Sequence, residues 1–196
     1  MLDTHARLLV QPVIDRIARG LIALRIPANA VTASAAVLGV AAAILVATGN
    51  AWVGIVLLWC SGLLDALDGT MARMTRPSPL GAIMDITFDR VVELAMVIAL
   101  AILHPRDVFP LLILAATIAV AMSLFLSIGA TLRNTSAKAF HYVVGLGERT
   151  EAFICLSLIA LDAPRARLWT YVFIAVIVFT LLQRFRYAAR VLSQNP

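Results

Sequence analysis

Charged residues are scarce in this chain, and so are cysteines. Only 14% of the 196 residues are charged, whereas 62% are apolar and the mean hydropathy is +0.95. This composition excludes a soluble domain and indicates an integral membrane protein. The two cysteines, Cys60 and Cys155, lie within apolar stretches, and we interpret them as small packing residues that say little about the redox compartment. The sequence contains no internal repeat and no low-complexity segment.

Six apolar stretches are suited to forming membrane-spanning helices, each of which needs about 20 residues. Turn-forming sequences separate these stretches, as at residues 48–50 and 76–79. We expect a single domain over residues 1–196, in which an all-α bundle of six transmembrane helices occupies residues 29–190. The predicted spans are residues 31–49, 51–72, 80–103, 107–130, 139–161 and 166–188.

Residues 1–28 differ from the rest of the chain. Arg7, Arg16 and Arg19 are interspersed there with aliphatic residues, which is typical of an amphipathic helix that lies in the membrane interface. A signal peptide is the competing interpretation. We disfavour it because no long apolar core and no cleavage site follow the charges. We therefore expect an N-terminal interfacial helix.

Basic residues are distributed unevenly between the two sides of the predicted bundle. One side carries only three in its loops, whereas the side of both termini carries most of the others. By the positive-inside rule, we expect both termini to be cytoplasmic in a cytoplasmic or inner membrane. The net charge of +5 then reflects topology and contact with anionic membrane lipids. We expect no nucleic-acid partner, because the chain has no soluble basic face.

Four aspartates lie close together in this apolar background. Asp65 and Asp68 are three residues apart, and Asp85 and Asp89 are four residues apart, so on helices each pair occupies one face. Ionised carboxylates in a water-poor environment are costly unless positive charge stabilises them. Because oxygen ligands favour hard cations, the pattern predicts a Mg²⁺ or Mn²⁺ site. Buried ion pairing with two nearby arginines is the alternative, but two arginines do not balance four aspartates.

The residues around these aspartates match a family signature. The chain contains D-x2-D-G-x2-A-R, a spacer of seven residues, and then G-x3-D-x3-D. In this it resembles the CDP-alcohol phosphotransferases, although the spacer is one residue shorter than expected. All eight signature residues are present, as Asp65, Asp68, Gly69, Ala72, Arg73, Gly81, Asp85 and Asp89.

The resemblance implies an activity and a cofactor. It implies transfer of a phosphatidyl group from CDP-diacylglycerol to an alcohol, with release of CMP, in phospholipid biosynthesis. Two ions of Mg²⁺ or Mn²⁺ would be held by Asp65, Asp68, Asp85 and Asp89, and Asp89 would also take the proton of the acceptor hydroxyl. Because Arg73 marks the cytoplasmic end of the second span, we expect the active site to face the cytoplasm. The family also suggests a homodimer.

The resemblance further assigns a set of residues to the CDP-lipid donor. Asn29 and Thr32 are similar to a Pro-Asn-x-x-Thr element of the family, although Ala28 separates Pro27 from Asn29. Capping of the first span by Asn29 is the alternative interpretation, and both stay open here. The expected donor residues are Gly69, Ala72, Arg73, Gly81, Asn29 and Thr32.

The acceptor is predicted from basic residues near the fifth span. Arg133, Lys138 and Arg149 are candidates for binding an acceptor phosphate. Residues 148–151 partly resemble a Glu-Arg-Pro-Glu-Arg element of bacterial phosphatidylinositol phosphate synthases, with Thr150 in place of the proline. We expect a phosphorylated alcohol, inositol phosphate ahead of glycerol 3-phosphate. An unphosphorylated acceptor such as serine or inositol is the alternative, and the basic residues would then be membrane anchors.

Three further interpretations concern the polar residues of the bundle. Glu93 continues the row of Asp85 and Asp89 and either orients a ligand or pairs with Arg90.

An intramembrane prenyltransferase also uses Asp-x-x-Asp pairs, but it needs more helices than the six predicted. A divalent-cation transporter would carry its carboxylates near the midplane, often in repeated halves. The aspartates of this chain lie near one end of their helices instead.

Overall fold

Helices account for nearly all of the described part of the chain. The computed structural model describes residues 2–135 and 149–194, and within them it contains no strand. Short 3-10 turns at Pro105–Asp107 and Ala163–Arg165 join helices at one end of the bundle. The helices are α1 (Leu2–Ala23), α2 (Ala28–Ala47), α3 (Ala51–Met74), α4 (Pro79–Leu103), α5 (Val108–Thr135), α6 (Arg149–Leu161) and α7 (Ala166–Gln194).

Each predicted span overlaps one of the helices α2 to α7, but not all of these helices qualify as membrane spans. Within the described residues, four segments are long and apolar enough to cross a membrane. Helix α4 does not qualify because it carries four charged residues in its first two thirds, and the described part of α6 has only 13 residues. Residues 139–148 of the predicted fifth span lie outside the described residues. The four segments are Ala28–Ala47, Ala51–Met74, Pro105–Thr131 and Ala163–Ser193.

Large apolar side chains cover much of the outer surface of the bundle. Ile98, Ile102, Leu112 and Phe109 are each at least 60% exposed. A water-soluble protein of this size does not leave so much apolar surface uncovered, whereas a surface in contact with lipid tails requires it. The protein is therefore an integral membrane protein, as its composition predicts.

Small residues bring α2, α3 and α4 close together. A Cβ atom on Gly39 of α2 would lie 2.5 Å from a methyl group of Val92 on α4 and 3.0 Å from the hydroxyl of Ser61 on α3. The Ser61 hydroxyl is buried and donates a hydrogen bond of 2.8 Å to the carbonyl of Ala35. This close approach holds α3 and α4, the two helices that carry the aspartates, against the same face of α2.

Helix α1 rests on the bundle through one of its faces. Its Ile14 and Ala18 are buried against Val31 of α2 and against Leu67 and Met71 of α3. Other faces of α1 expose apolar and basic residues, among them Val13, Ile17, Arg16 and Arg19. The predicted N-terminal helix is therefore present, and one of its faces packs on the bundle. Its position in the membrane interface remains a prediction.

Two helices end in the same hydrogen-bonded motif. At the end of α2, the Asn50 amide donates to the Leu45 carbonyl and the Gly49 amide to the Val46 carbonyl, while Gly49 has a φ of 89°. This arrangement is the Schellman motif, in which a left-handed residue satisfies the last carbonyls of the helix. Glycine suits it because the left-handed region carries no Cβ penalty for glycine. At the end of α1, Arg25 adopts the same conformation with a φ of 59°.

We predict that Gly49→Ala destabilises the protein by about 1–2 kcal/mol, because alanine must adopt a positive φ there. Thermal unfolding of the purified protein in detergent measures the effect. Gly20→Ala is the matched control, since Gly20 is exposed within α1 and a Cβ there meets nothing within 4 Å. A melting temperature unchanged by Gly49→Ala would contradict the prediction.

Candidate metal and substrate site

Helices α3 and α4 bring three of the four aspartates together. Asp65 and Asp68 lie on α3, Asp85 lies on α4, and one carboxylate oxygen from each lies within 4.8 Å of the other two. The spacing of three residues on α3 directs its two carboxylates to one face, as the sequence predicts. Ser78 caps α4 by accepting a hydrogen bond of 2.9 Å from the Gly81 amide. This cap starts α4 nearly two turns before Asp85.

The three carboxylates fit a hard divalent cation. Asp68 is 4% exposed, and its Oδ2 atom has no hydrogen-bond partner among the described residues. A buried carboxylate oxygen without a donor is costly unless a cation binds it. Carboxylate-only ligand sets suit Mg²⁺ and Mn²⁺. Asp85 is exposed, so the site is open to solvent and substrate on one side.

Asp89 lies outside this group of three and pairs with an arginine instead. The Arg149 guanidinium, at the start of the described part of α6, contacts Asp89 through Nη2 and Asp65 through Nη1. It therefore joins α3, α4 and α6 at the carboxylates. The two arginines that are close to the aspartates in sequence contact other side chains. Arg90 pairs with Glu93, and the Arg73 guanidinium donates to the Thr70 hydroxyl at 2.8 Å. The role of Asp89 as metal ligand and base stays a prediction.

An aromatic ring supports Arg149. The guanidinium carbon of Arg149 lies 5.6 Å from the centroid of the Phe153 ring. Phe153 is buried, packs edge-on against Trp59 with centroids 5.9 Å apart, and leaves no room for a Cβ on Gly62, which would lie 2.7 Å from the ring. Phe153 thus has little freedom to move, and its ring contacts the guanidinium that also binds Asp65 and Asp89.

Three of the predicted donor residues can be located by their contacts near the carboxylates. A Cβ on Gly81 would lie 2.9 Å from the Asn29 Oδ1 atom, so Gly81 lets α4 approach the start of α2. The alternative interpretation of Asn29, that it caps α2, is wrong, because Pro27 occupies the N-cap position and no side chain bonds there. Thr32 is buried and neighbours Asp68.

Space remains beside α3 where the resemblance expects the nucleotide. A Cβ on Gly69 would meet only the Arg73 Nη1 atom, at 3.5 Å, and Ala72 is half-buried. Arg73 is exposed at the end of α3. An open cavity of about 630 Å³ lies nearby, between the α1–α2 link and the α3–α4 link, and Asn29, Arg25 and Arg76 are among its lining residues.

A second cavity lies beside Asp89 and contains charges of both signs. Its volume is about 170 Å³, and helices α4 to α7 form its walls. Arg184 of α7 lines it, with its guanidinium carbon 5.0 Å from the centroid of the Phe125 ring. Arg184 is not among the site residues predicted from the sequence, because it lies where an apolar run passes into a basic end and so matches a membrane anchor. The charged and hydroxyl-bearing lining residues are Asp89, Arg90, Glu93, Arg149, Thr180 and Arg184.

Only one of the three predicted acceptor residues can be located in this cavity. Arg149 lines it and also contacts the aspartates. Arg133 belongs to α5, but its side chain is not described, and Lys138 lies outside the described residues. Their assignment to the acceptor stays a prediction.

A helical membrane protein with a carboxylate cluster beside a cavity lined by arginines has the groups that a metal-dependent enzyme acting on phosphate groups needs. The chain is a member of the CDP-alcohol phosphatidyltransferase family, whose model matches residues 25–194. The protein is therefore a transferase of substituted phosphate groups with a divalent metal cofactor. The family, enzyme class and metal type predicted from the sequence are confirmed.

Two relatives of known name are similar in sequence. An archaetidylinositol phosphate synthase of Methanothermobacter thermautotrophicus is 34% identical over 95 residues, which cover 48% of this chain and 45% of that protein. The chain thus matches less than half of the length of that relative. A phosphatidylinositol phosphate synthase of Corynebacterium glutamicum is 29% identical over 195 residues, which cover 94% of this chain and 87% of that protein.

Solved structures of the phosphatidylinositol phosphate synthase PgsA1 of Mycobacterium tuberculosis share the fold. The one with CDP-DAG bound has a TM-score of 0.75 and 26% identity, and the match covers 90% of this chain and 94% of that one. The one in complex with manganese and citrate has a TM-score of 0.72 and 26% identity, covering 89% and 88%. A similar protein thus holds both the metal and the CDP-lipid expected from the sequence.

We predict that Asp65→Asn, Asp68→Asn and Asp85→Asn each weaken Mn²⁺ binding at least about tenfold, because each removes a charged oxygen ligand. Titration of Mn²⁺ into the purified protein, followed by electron paramagnetic resonance, measures this affinity. EDTA should abolish activity, and added Mg²⁺ or Mn²⁺ should restore it.

Asp162→Asn is the control for these variants, because Asp162 accepts a hydrogen bond from Trp169 and belongs to the opposite end of the bundle. Unchanged Mn²⁺ affinity in all three variants would show that the carboxylate cluster is not the metal site.

Proposed function

We propose that the protein transfers the phosphatidyl group of CDP-diacylglycerol to a hydroxyl of a phosphorylated polyol, inositol phosphate ahead of glycerol 3-phosphate, and releases CMP. The observation that carries the acceptor class is the cavity beside Asp89, which three arginines line. Arginine binds phosphate through paired charge-assisted hydrogen bonds. Serine or free inositol carries no phosphate for them to bind.

The balance of charge in this cavity supports an anionic acceptor. Arg149 pairs with Asp65 and Asp89, and Arg90 pairs with Glu93. Arg184 adds a third positive charge to a cavity whose lining contains two carboxylates, those of Asp89 and Glu93. Burying cations in a membrane bundle is costly, so their presence together favours a binding role. The names of the relatives, two inositol phosphate-linked synthases, agree with this acceptor.

Asp89 is the proposed general base. Its carboxylate lines the acceptor cavity and lies next to the carboxylate cluster, so it borders both substrates. The Arg149 contact on Oδ1 orients the carboxylate, and Oδ2 takes the proton of the acceptor hydroxyl. The acceptor oxygen then bonds to the phosphatidyl phosphorus, the bond to the CMP phosphate breaks, and CMP leaves with the electron pair.

The carboxylate cluster and the residues of α2, α3 and α4 near it form the proposed donor site. Divalent metal bound by Asp65, Asp68 and Asp85, with Asp89 as a further ligand, would neutralise the pyrophosphate and the developing charge on CMP. Gly69 and Ala72 leave space for the cytidine. The remaining donor residues are Arg73, which would contact a donor phosphate, and Gly81, Asn29 and Thr32, which would line the nucleotide side.

We further propose that all six helices from α2 to α7 cross the membrane as one domain, with both termini and the active site at the cytoplasmic side. Asp65 lies eight residues before Arg73 on α3, about 12 Å at the helical rise. That depth lets the donor keep its acyl chains in the bilayer while its pyrophosphate reaches the aspartates. Contact of α1 with membrane lipids and assembly as a homodimer stay predictions.

An acceptor panel tests this function directly. Purified protein with CDP-diacylglycerol and Mg²⁺ or Mn²⁺ receives inositol phosphate, glycerol 3-phosphate, inositol or serine. We expect inositol phosphate to give the fastest release of CMP, with the corresponding lipid product detected by mass spectrometry. Serine or free inositol as the best acceptor would overturn the proposed acceptor class while leaving the donor reaction intact.

We predict that Arg184→Ala lowers kcat/KM for the phosphorylated acceptor at least about tenfold, because a hydrogen bond between charged groups is lost. The KM for CDP-diacylglycerol should stay nearly unchanged. Arg186→Ala is the matched control, since Arg186 lies two residues further along α7 and is exposed. Equal losses in both variants would indicate a general effect of charge at the end of α7.

A further inference from the structure

Glu93 is a buried carboxylate that the reaction described above does not use. Its side chain is 9% exposed, and it lies on α4 one turn beyond Asp89. A carboxylate buried at this depth costs several kcal/mol unless it is well paired. An apolar residue would fill the same space without that cost. The position therefore calls for an explanation beyond packing.

The ion pair of Glu93 does not join two helices. Its partner in the described structure is Arg90, three residues earlier on the same helix. A pair of this kind adds only a few tenths of a kcal/mol to a helix, and it does not clip α4 to a neighbour. Both residues instead line the cavity that contains Arg149 and Arg184. The pair therefore contributes to the chemistry of the cavity wall more than to the assembly of the bundle.

Glu93 offers the cavity a type of hydrogen bond that the arginines cannot supply. Arginine only donates, which suits phosphate oxygens, whereas an ionised carboxylate only accepts and has about four lone-pair sites. Arg90 contacts Oε2 of Glu93, and no hydrogen bond to that atom with good geometry is present among the described residues. The carboxylate thus has unused accepting capacity. The hydroxyl groups of a phosphorylated polyol are donors that can bind to these free lone pairs.

We propose that Glu93, held by Arg90, accepts hydrogen bonds from the acceptor hydroxyls that do not react, and so selects a phosphorylated polyol with many hydroxyls over one with few. This inference rests on the proposed function and names the feature of the acceptor that the cavity recognises, which is its number of hydroxyl groups. Sites built to pair with a hydroxyl reject an analogue that lacks it, because the buried polar group is then left unpaired. Glu93 is accordingly a specificity-determining residue, and Arg90 is a positioning residue.

The test compares two acceptors in the Glu93→Gln variant of the full-length protein. The amide is nearly the same size but has lost the charge and half of the accepting capacity. We expect kcat/KM for inositol phosphate to fall at least about tenfold, while kcat/KM for glycerol 3-phosphate changes less than about threefold. The KM for CDP-diacylglycerol should not change. The ratio of the two acceptors is the decisive measurement, because a merely structural role would lower both rates together.

Two further variants complete the experiment. Glu93→Asp keeps the charge but moves the carboxylate back by one methylene. It should lower kcat/KM for inositol phosphate less than Glu93→Gln does and leave kcat/KM for glycerol 3-phosphate unchanged. This variant replaces Glu93→Gln if the latter fails to insert into the membrane. Asp107→Asn is the control for loss of an ion pair, because Asp107 pairs with Arg167 away from the cavity. It should leave the ratio unchanged.

The outcomes distinguish this inference from the proposed function. If the native protein does not use inositol phosphate, the proposed function fails and this inference fails with it. If the native protein uses inositol phosphate but both Glu93 variants keep the native ratio, the inference alone is overturned. A ratio that falls in the Glu93 variants and not in Asp107→Asn supports it.

Discussion

The cost of ionised carboxylates in a membrane bundle is the constraint on which the rest of this structure depends. Four aspartates on two neighbouring helices must be balanced by positive charge, or they would repel each other in surroundings that screen poorly. Three of them form a cluster suited to a divalent cation, and Arg149 joins Asp65 to Asp89. The helix contacts near the site keep the aspartates and Arg149 at fixed separations.

Close packing supplies that fixed geometry. Gly39 lets α2 meet Val92 and Ser61, and Gly62 lets α3 meet Phe153, the ring that supports Arg149. Between helices in lipid, attraction comes from close van der Waals contact rather than from a hydrophobic effect, so small residues at crossings are effective. The charged cavity therefore lies within a tightly packed frame.

Local patterns could be predicted because they depend on residues close in sequence. The helical faces of Asp65 with Asp68 and of Asp85 with Asp89 follow from spacings of three and four. The apolar stretches predict the bounds of α2, α3 and α4 to within a few residues. The contact of Arg149 with Asp89 and the position of Arg184 in the cavity could not be predicted in the same way. Arg149 meets Asp89 across 60 positions of sequence, and Arg184 looks like any basic residue at the end of a span.

The sequence by itself determined that this is a helical membrane protein of the CDP-alcohol phosphatidyltransferase family with a carboxylate site for a hard cation, because helical periodicity, hydropathy and the eight-residue signature are all local properties. Only the tertiary structure decided that α6 and α7 bring arginines to the same cavity as Asp89 and Glu93. It also decided that Asn29 faces Gly81 instead of capping α2. The reason is physical: a helix fixes its own faces, but only packing against other helices fixes which faces meet.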